Sequence, residues 1–310
     1  MRFAYLISAY TDAPQVARLI RALGPGCSCF VHVDARVDIA PFVKACDKLA
    51  HVHFLMERHA VIWGDITQVY YQRDLLRACV ESGLYFDRIF MLSGQDYPVS
   101  SPEELAARYV GNKHREDICG IDLTTQRASV KHPYRIYRPQ CRLPFRNLGL
   151  TVKWRVALRT LLYFLGVRKR LSLKVGSSTY YVHKGSDYWS ITPDLAQWML
   201  RELDAFPEIM DYFSTMFVPS ELIWQTLAAH SPFAEKMDLR TGPYKSLADL
   251  TPIHYIDYHP YIRVMTEEDW PKVLESGRPF CRKVATGKSD AFVALCEERK
   301  AALKKQTADE

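Results

Sequence analysis

The chain lacks several things that would have placed it at once. No run of about 18 uncharged apolar residues occurs, so no transmembrane helix is expected. None of the eight cysteines, at 27, 29, 46, 79, 119, 141, 281 and 296, stands in C-x-x-C spacing, so a zinc ribbon or redox motif is unsupported. In a chain of 310 residues they read as reduced, small core residues rather than a disulfide framework. His51, His53 and His59 fall along or after one apolar stretch without a third ligand nearby, so no metal site is expected there. Neither G-x-G-x-x-G nor G-x-x-x-x-G-K-[ST] follows the first apolar run, which leaves a dinucleotide fingerprint and a P-loop without support. Internal repeats and low-complexity linkers are missing too. The most informative gap is one of charge: no acid occurs between Asp122 and Asp187, a window holding fourteen Lys or Arg. So one-sided a block either faces something anionic or stays solvated.

What is present is an alternation. The first third places apolar runs at "RFAYLIS" (2–8), "CFVHV" (29–33), "HVHFLM" (51–56) and "RIFML" (88–92) between helical stretches at 14–23, 41–49 and 65–79. Ser101, Pro102 and Glu104 open a further helix with a cap, an N1 proline and a capping-box acid. Strands alternating with helices predict a mostly parallel α/β sheet flanked by helices, with ligands beyond the strand carboxyl ends. The reading is a single domain over 1–310: an α/β half over 1–122, a basic segment over 123–184, a less regular half over 185–285 and a charged terminal helix over 286–310. The N-terminus reads as a buried first strand rather than a signal peptide, so a cytoplasmic protein is expected. Within the basic segment, 150–167 reads as a helix with Thr151, Arg155 and Arg159 on one stripe and Trp154, Leu158, Leu161 and Leu165 on another. It either packs on the core with a solvated basic face or lies on an acidic membrane surface, reinforced by Arg168, Lys169 and Arg170.

A few residues carry candidate chemistry. Glu221 follows Pro219 and Ser220 at a predicted helix start, where a carboxylate can be presented into a cleft as a general base or simply occupy a first turn. Arg282 and Lys283 end a short apolar strand and could grip a diphosphate, with Arg278 and Arg263 in reserve. Strand alternation would turn only one of the pair inward. Asp34 and Asp38 are four residues apart, not the Asp-x-Asp that metal-using nucleotide-sugar enzymes place at a strand end. Asp96, in "SGQDYP", is a lone acid at a strand end.

Eight segments then stand in one order over residues 3–284: "AYLISAY", "FVHVDARVD", "VIWGDITQVYYQRDLLRA", "LSGQDYPVSS", "GSDYWSITPDLAQWML", "VPSELIWQTL", "HYIDYHP" and "PFCRKV". In these the chain resembles glycosyltransferase family 14, the core-2/I-branching β-1,6-N-acetylglucosaminyltransferases and peptide O-xylosyltransferases. The resemblance implies a GT-A-like fold, a UDP-sugar donor carrying N-acetylglucosamine or xylose, inversion at the anomeric carbon, and no metal or other cofactor. It puts the general base on Glu221, the diphosphate on Arg282 and Lys283, and the nucleotide against Ser8 and Asp34. Sugar and acceptor contacts fall on Asp96, Trp189, Asp257 and Tyr258. The chain departs from the pattern at Ser220, where an Asp is usual, and at Cys281, where an Ala is usual. The disulfides and anchor of the animal enzymes are not evident, so the expectation is a bacterial-type cytoplasmic enzyme, at most peripheral on the inner membrane through 150–174. Its acceptor would be a glycan or lipid-linked glycan of anionic character. Two other readings stay open: a metal-dependent GT-A enzyme using Asp34 and Asp38, and a non-enzymatic basic module binding an acidic glycan or membrane. Nucleic acid is not expected, for want of any recognised module.

Overall fold

The computed structural model describes residues 1–138, 149–240, 246–258 and 261–309. Cys141, Arg142, Arg146, His259 and Pro260 lie outside the described residues, as do the side chains of Thr151, Lys153 and Arg155.

The first third alternates as its sequence predicts: β1 (Phe3–Ala9), α1 (Ala13–Leu23), β2 (Ser28–Val33), α2 (Ala40–Ala45), β3 (Val52–Phe54), α3 (Thr67–Val80) and β4 (Arg88–Ser93). Then come β5 (Asp96–Pro98), α4 (Pro102–Val110) and β6 (Glu116–Asp122). The basic segment holds α5 (Ala128–Arg135), α6 (Gly149–Phe164), a hairpin of β7 (Ser172–Val175) and β8 (Ser178–Tyr181), and β9 (His183–Lys184). The remainder runs β10 (Ser190–Ile191), α7 (Pro193–Ala205), α8 (Glu208–Phe213), α9 (Ile223–Ala229), β11 (Met237–Arg240), β12 (His254–Ile256), α10 (Trp270–Glu275), β13 (Phe280–Arg282) and α11 (Asp290–Asp309).

Eight strands form the central sheet in the order β11-β6-β10-β4-β1-β2-β3, with β9 paired to β6. β1, β2, β3 and β4 are mutually parallel, and β11 is parallel to β6. β10 runs against both of its neighbours. A short apolar run such as "DYWSIT" (187–192) carries no information about strand direction. Fully buried Arg88 fixes β10 in place: Nε donates to Ser190 Oγ (2.9 Å) and Nη2 to Ser190 O (2.7 Å).

β1 shows why the sheet has two covered faces. Ala4 and Leu6 enter a core shared with α3, α7 and α9, whereas Phe3, Tyr5 and Ile7 enter one shared with α1, α2 and α4. Period-2 alternation thus feeds two apolar layers, and the strand reads as continuously hydrophobic. A smaller sheet, β12-β13-β5, stands beside the main one, with Arg282 registered opposite Asp96. The predicted capping box on α4 is present, Ser101 Oγ accepting from Glu104 N while Glu104 Oε2 accepts from Ser101 N.

The basic segment divides. Lys169 is buried and donates from Nζ to Tyr212 O (2.7 Å) and Thr215 Oγ1 (3.0 Å), so part of the charge block is internal. α6 is the opposite case. Trp154, Leu158, Leu161 and Leu165 are all exposed, Trp154 at 74% and Leu165 at 69%, which overturns the reading of a helix packed on the core through that stripe.

Candidate active site

Parallel strands end together, and the cleft opens where β1, β2 and β4 end. It encloses about 420 Å³ and is lined by Ser8, Asp34, Glu221, Tyr258, Arg282 and Lys283 among others. Six of the residues singled out from sequence therefore meet at one place. Ser8 and Ser93 are register partners on β1 and β4, so each leaves its strand at the same level.

Gly94 closes the floor. A Cβ there would lie 2.7 Å from Val16 Cγ2 and 3.3 Å from the Ala9 Cβ, so only glycine lets this turn press against α1 and β1. Asp96 follows, completely buried beneath the cleft rather than on its wall. Its oxygens accept from Ser93 N (2.7 Å), His254 Nε2 (3.0 Å) and Arg282 Nη1 (2.9 Å). Burial alone would raise its pKa, but the charges of His254 and Arg282 and these hydrogen bonds hold it below the ordinary value. Asp96 is thus bonded to Arg282 and is not part of the cleft lining, where a sugar contact was expected of it.

Arg282 is the last residue of β13, so alternation no longer governs Lys283, and both side chains line the cleft. Burial would favour discharge of Arg282, yet Tyr188 and Asp96 raise its pKa and keep it cationic. Its Nε is buried without a hydrogen-bond partner, and its guanidinium lies 5.4 Å from the Tyr188 ring centre. Burial and then the Arg282 charge lower Lys283. A shielded cation of this kind is built to receive an anion. The reserves are elsewhere: Arg263 pairs with Asp257 (3.0 Å) and Asp269, and Arg278 donates to Pro252 O. Asp257 thus turns to Arg263 and is not part of the cleft lining.

Asp34 faces the cleft but is engaged by Arg36, which donates to it from Nε (3.0 Å), Nη2 (2.6 Å) and N (2.9 Å). Burial raises its pKa, and these bonds more than offset that, leaving it below the usual carboxylate range. Asp38 is exposed and accepts from Ala40 N (3.0 Å) at the start of α2. The two acids therefore have separate hydrogen-bond partners. Among the described residues neither belongs to a cluster of three or more metal-ligating side chains.

Glu221 does not sit in the first turn of an α-helix. Pro219–Glu221 form one 3-10 turn, Leu222 breaks the helical path, and α9 starts at Ile223. Val218, just before, is left-handed at φ 47°, a conformation that costs a β-branched residue about 1–3 kcal/mol. The charge partner of Glu221 is thus a side chain rather than a helix dipole: buried Lys184 donates from Nζ to Glu221 Oε2. Beside it stands Asp187, whose pKa is raised to about 6 by burial and then by the negative charge of Glu221. Gln72 Nε2 approaches Asp187 Oδ1 at 3.4 Å, while Gln72 Oε1 accepts from Trp224 Nε1 (2.6 Å).

Asp187, within "GSDYW", is a cleft-lining carboxylate that its sequence does not single out. Antiparallel β10 begins where its neighbours end, so the residues leading into it arrive at the cleft. Gly185 makes that approach possible: a Cβ would fall 2.1 Å from Cys119 O and 2.6 Å from Gln225 Cγ. Gln225 on α9 secures the turn by donating to Ser186 O (2.7 Å). Trp189, two residues on, is buried at 1% exposure against Trp224 and is not part of the cleft lining. The expected sugar contact is not what the structure places there: Trp189 packs in the core with Ile191 and Leu195. Exposed Trp63 and buried His32 also line the cleft and were not singled out as site residues from sequence. His32 is kept neutral by burial and His59, its pKa lowered to about 4, and it accepts from His59 N (2.9 Å).

A family profile described as Core-2/I-Branching enzyme matches residues 3–242. Among curated proteins the chain is similar to xylosyltransferase sqv-6 of Caenorhabditis briggsae, 19% identical over 228 residues that make up 72% of this chain. The chain spans only 26% of that relative's length. Among solved structures, 4-diphosphocytidyl-2C-methyl-D-erythritol synthase aligns at a TM-score of 0.32 and 11% identity, over 67% of this chain and 84% of that one.

Proposed function

The chain belongs to the Core-2/I-branching enzyme family, and from that premise we propose that it is an inverting glycosyltransferase. It moves N-acetylglucosamine or xylose from a UDP-sugar to a hydroxyl of a glycan or lipid-linked glycan. The observation that supports this most is the meeting of shielded cations and paired carboxylates in one cleft at the strand ends.

Arg282 and Lys283 take the diphosphate, with Ser8 and Asp34 toward the nucleoside. Glu221 accepts the proton of the acceptor hydroxyl as that oxygen attacks the sugar C1 from the face opposite UDP. Lys184 holds Oε2, which leaves Oε1 as the oxygen that takes the proton. Negative charge growing on the leaving β-phosphate is met by Arg282 and Lys283, the electrostatic work a metal performs in other enzymes. Turnover in this reading needs no metal. Tyr258 and exposed Trp63 border the space left for the sugars.

The second half of the proposal concerns place. No helix among the described residues is long and apolar enough to cross a membrane. α6 nonetheless exposes Trp154, Leu161 and Phe164, followed by exposed Leu165, Arg168 and Arg170. Apolar side chains beside cations suit an acidic lipid surface. We place the enzyme peripherally on the cytoplasmic face of a membrane through 150–174, near a lipid-linked acceptor.

A thermal-shift panel of UDP-GlcNAc, UDP-xylose, UDP-galactose, UDP-glucose and GDP-sugars tests the donor class. UDP-sugars should raise the Tm by mass action, and Arg282→Ala should abolish the shift. A chain that ignores every UDP-sugar yet binds acidic polymers in a salt-dependent way is the basic module instead. Turnover that disappears in EDTA and returns with Mn²⁺, at a temperature where the fold is intact throughout, refutes metal independence.

A further inference from the structure

At the opposite end of the strands lies a second cluster. Cys27 immediately precedes β2 and Cys29 is its second residue, so their side chains share one face. His51 immediately precedes edge strand β3 and is tied to the same place, its carbonyl accepting from Cys29 N (2.9 Å). The two sulfurs and an imidazole nitrogen all lie within 4.8 Å of one another. Cys27 Sγ and Cys29 Sγ are 3.9 Å apart. Tetrahedral thiolate ligands at the usual zinc–sulfur distance stand about 3.8 Å apart, whereas a disulfide requires about 2.05 Å. His51 Nε2 is buried and has no hydrogen-bond partner. A histidine with one ring nitrogen left without a partner, grouped with two thiols at ligand spacing, asks for a cation.

We propose that Cys27, Cys29 and His51 bind one Zn²⁺, with water in the fourth position. Soft sulfur and imidazole donors select such an ion over Mg²⁺ or Ca²⁺. Binding deprotonates both thiols: one Zn²⁺ enters, two protons leave, and the two thiolates neutralise the metal. The site is structural. Asp34 stands five residues beyond Cys29 along the strand direction, about 17 Å at the usual rise, so the ion does not reach the cleft. It pins three-residue β3 and the turn entering β2, where the sheet has its thinnest edge. Spacing could not reveal it, because its ligands are a C-x-C and a histidine from the next strand.

The test uses full-length protein, purified reduced and metal-free, and titrated with Zn²⁺ alone and with Co²⁺ as a spectroscopic probe. One equivalent should bind, release two protons, raise the Tm and shield Cys27 and Cys29 from alkylation mapped by mass spectrometry. Co²⁺ should show thiolate charge-transfer and tetrahedral bands. Cys27→Ser and His51→Gln should each weaken Zn²⁺ binding at least about tenfold, on the scale of perturbed metal sites, while leaving UDP-induced stabilisation unchanged. If Cys27→Ser fails to fold, His51→Gln, at a half-buried position, carries the comparison. Absence of the cobalt bands, equal Zn²⁺ binding by wild type and variants, or a Cys27–Cys29 disulfide that forms in air without metal uptake overturns the proposal.

Discussion

Two charged clusters border the cleft, and they are built to opposite specifications. Asp96, His254 and Arg282 form a closed group in which Asp96 and His254 are sealed from solvent and each Asp96 oxygen has a donor. Lys184, Glu221 and Asp187 form an open one: Glu221 keeps 18% of its side chain exposed, and Asp187 is pushed up to about 6. In the first, Asp96 is held ionised below its ordinary pKa and Arg282 is held cationic and fixed in position. The second places two carboxylates so near each other that one resists ionisation, the usual mark of groups that handle protons. In the proposed mechanism anchoring falls to the first cluster and proton transfer to the second.

The sharpest way to break the contrast is Glu221→Gln. Turnover should fall by about 10²–10⁴, the range for a positioned base, while the UDP-induced thermal shift survives; wild-type-like turnover would remove Glu221 from the mechanism. Asp96→Ala should act on the other axis. It strands Arg282 without its counter-charge, costing about 3–5 kcal/mol in stability, and it should weaken UDP-sugar binding as well. Removing Arg282 in the same chain should recover part of that stability but none of the binding. Urea unfolding with and without UDP separates the two effects.

Asp187→Asn should give a smaller, pH-dependent change. Because the folded pKa of Asp187 is raised above its unfolded value, to about 6, the folded state binds the extra proton, and stability declines as pH rises from the unfolded pKa through about 6. The neutral amide escapes that penalty. The variant should melt higher than wild type at pH 7 and equally at pH 4; an identical difference at both pH values would show that Asp187 is not the titrating group. Smallest should be the effect of Trp154→Ser with Phe164→Ser on α6. Neither turnover on a soluble acceptor nor the melting temperature should move, while sedimentation with phosphatidylserine vesicles should drop and binding to phosphatidylcholine vesicles should stay low.

Legibility in the sequence followed how local the cause was. The strands of the first third, the cap at Ser101 and the cleft positions of Ser8, Asp34, Glu221, Tyr258, Arg282 and Lys283 rest on short-range patterns or on motifs that travel with them. The antiparallel entry of β10, the burial of Asp96 and the Lys184–Glu221 pair do not, since each depends on a partner far away in the chain. Arg282 is 186 positions from Asp96. α6 stayed open between two readings for a related reason: its apolar stripe has the periodicity of a packed helix, and periodicity does not say what covers it.

The pairing of β5 with β13 also sets an order of events during synthesis. Asp96 leaves the ribosome long before Arg282, so the nascent chain carries an unpaired strand edge and an uncompensated acid through most of its elongation. Contacts of such sequence separation form late and slowly. β13 is therefore the last strand to emerge, and a chain stalled before it would have every strand of the main sheet but a cleft without Arg282 and Lys283.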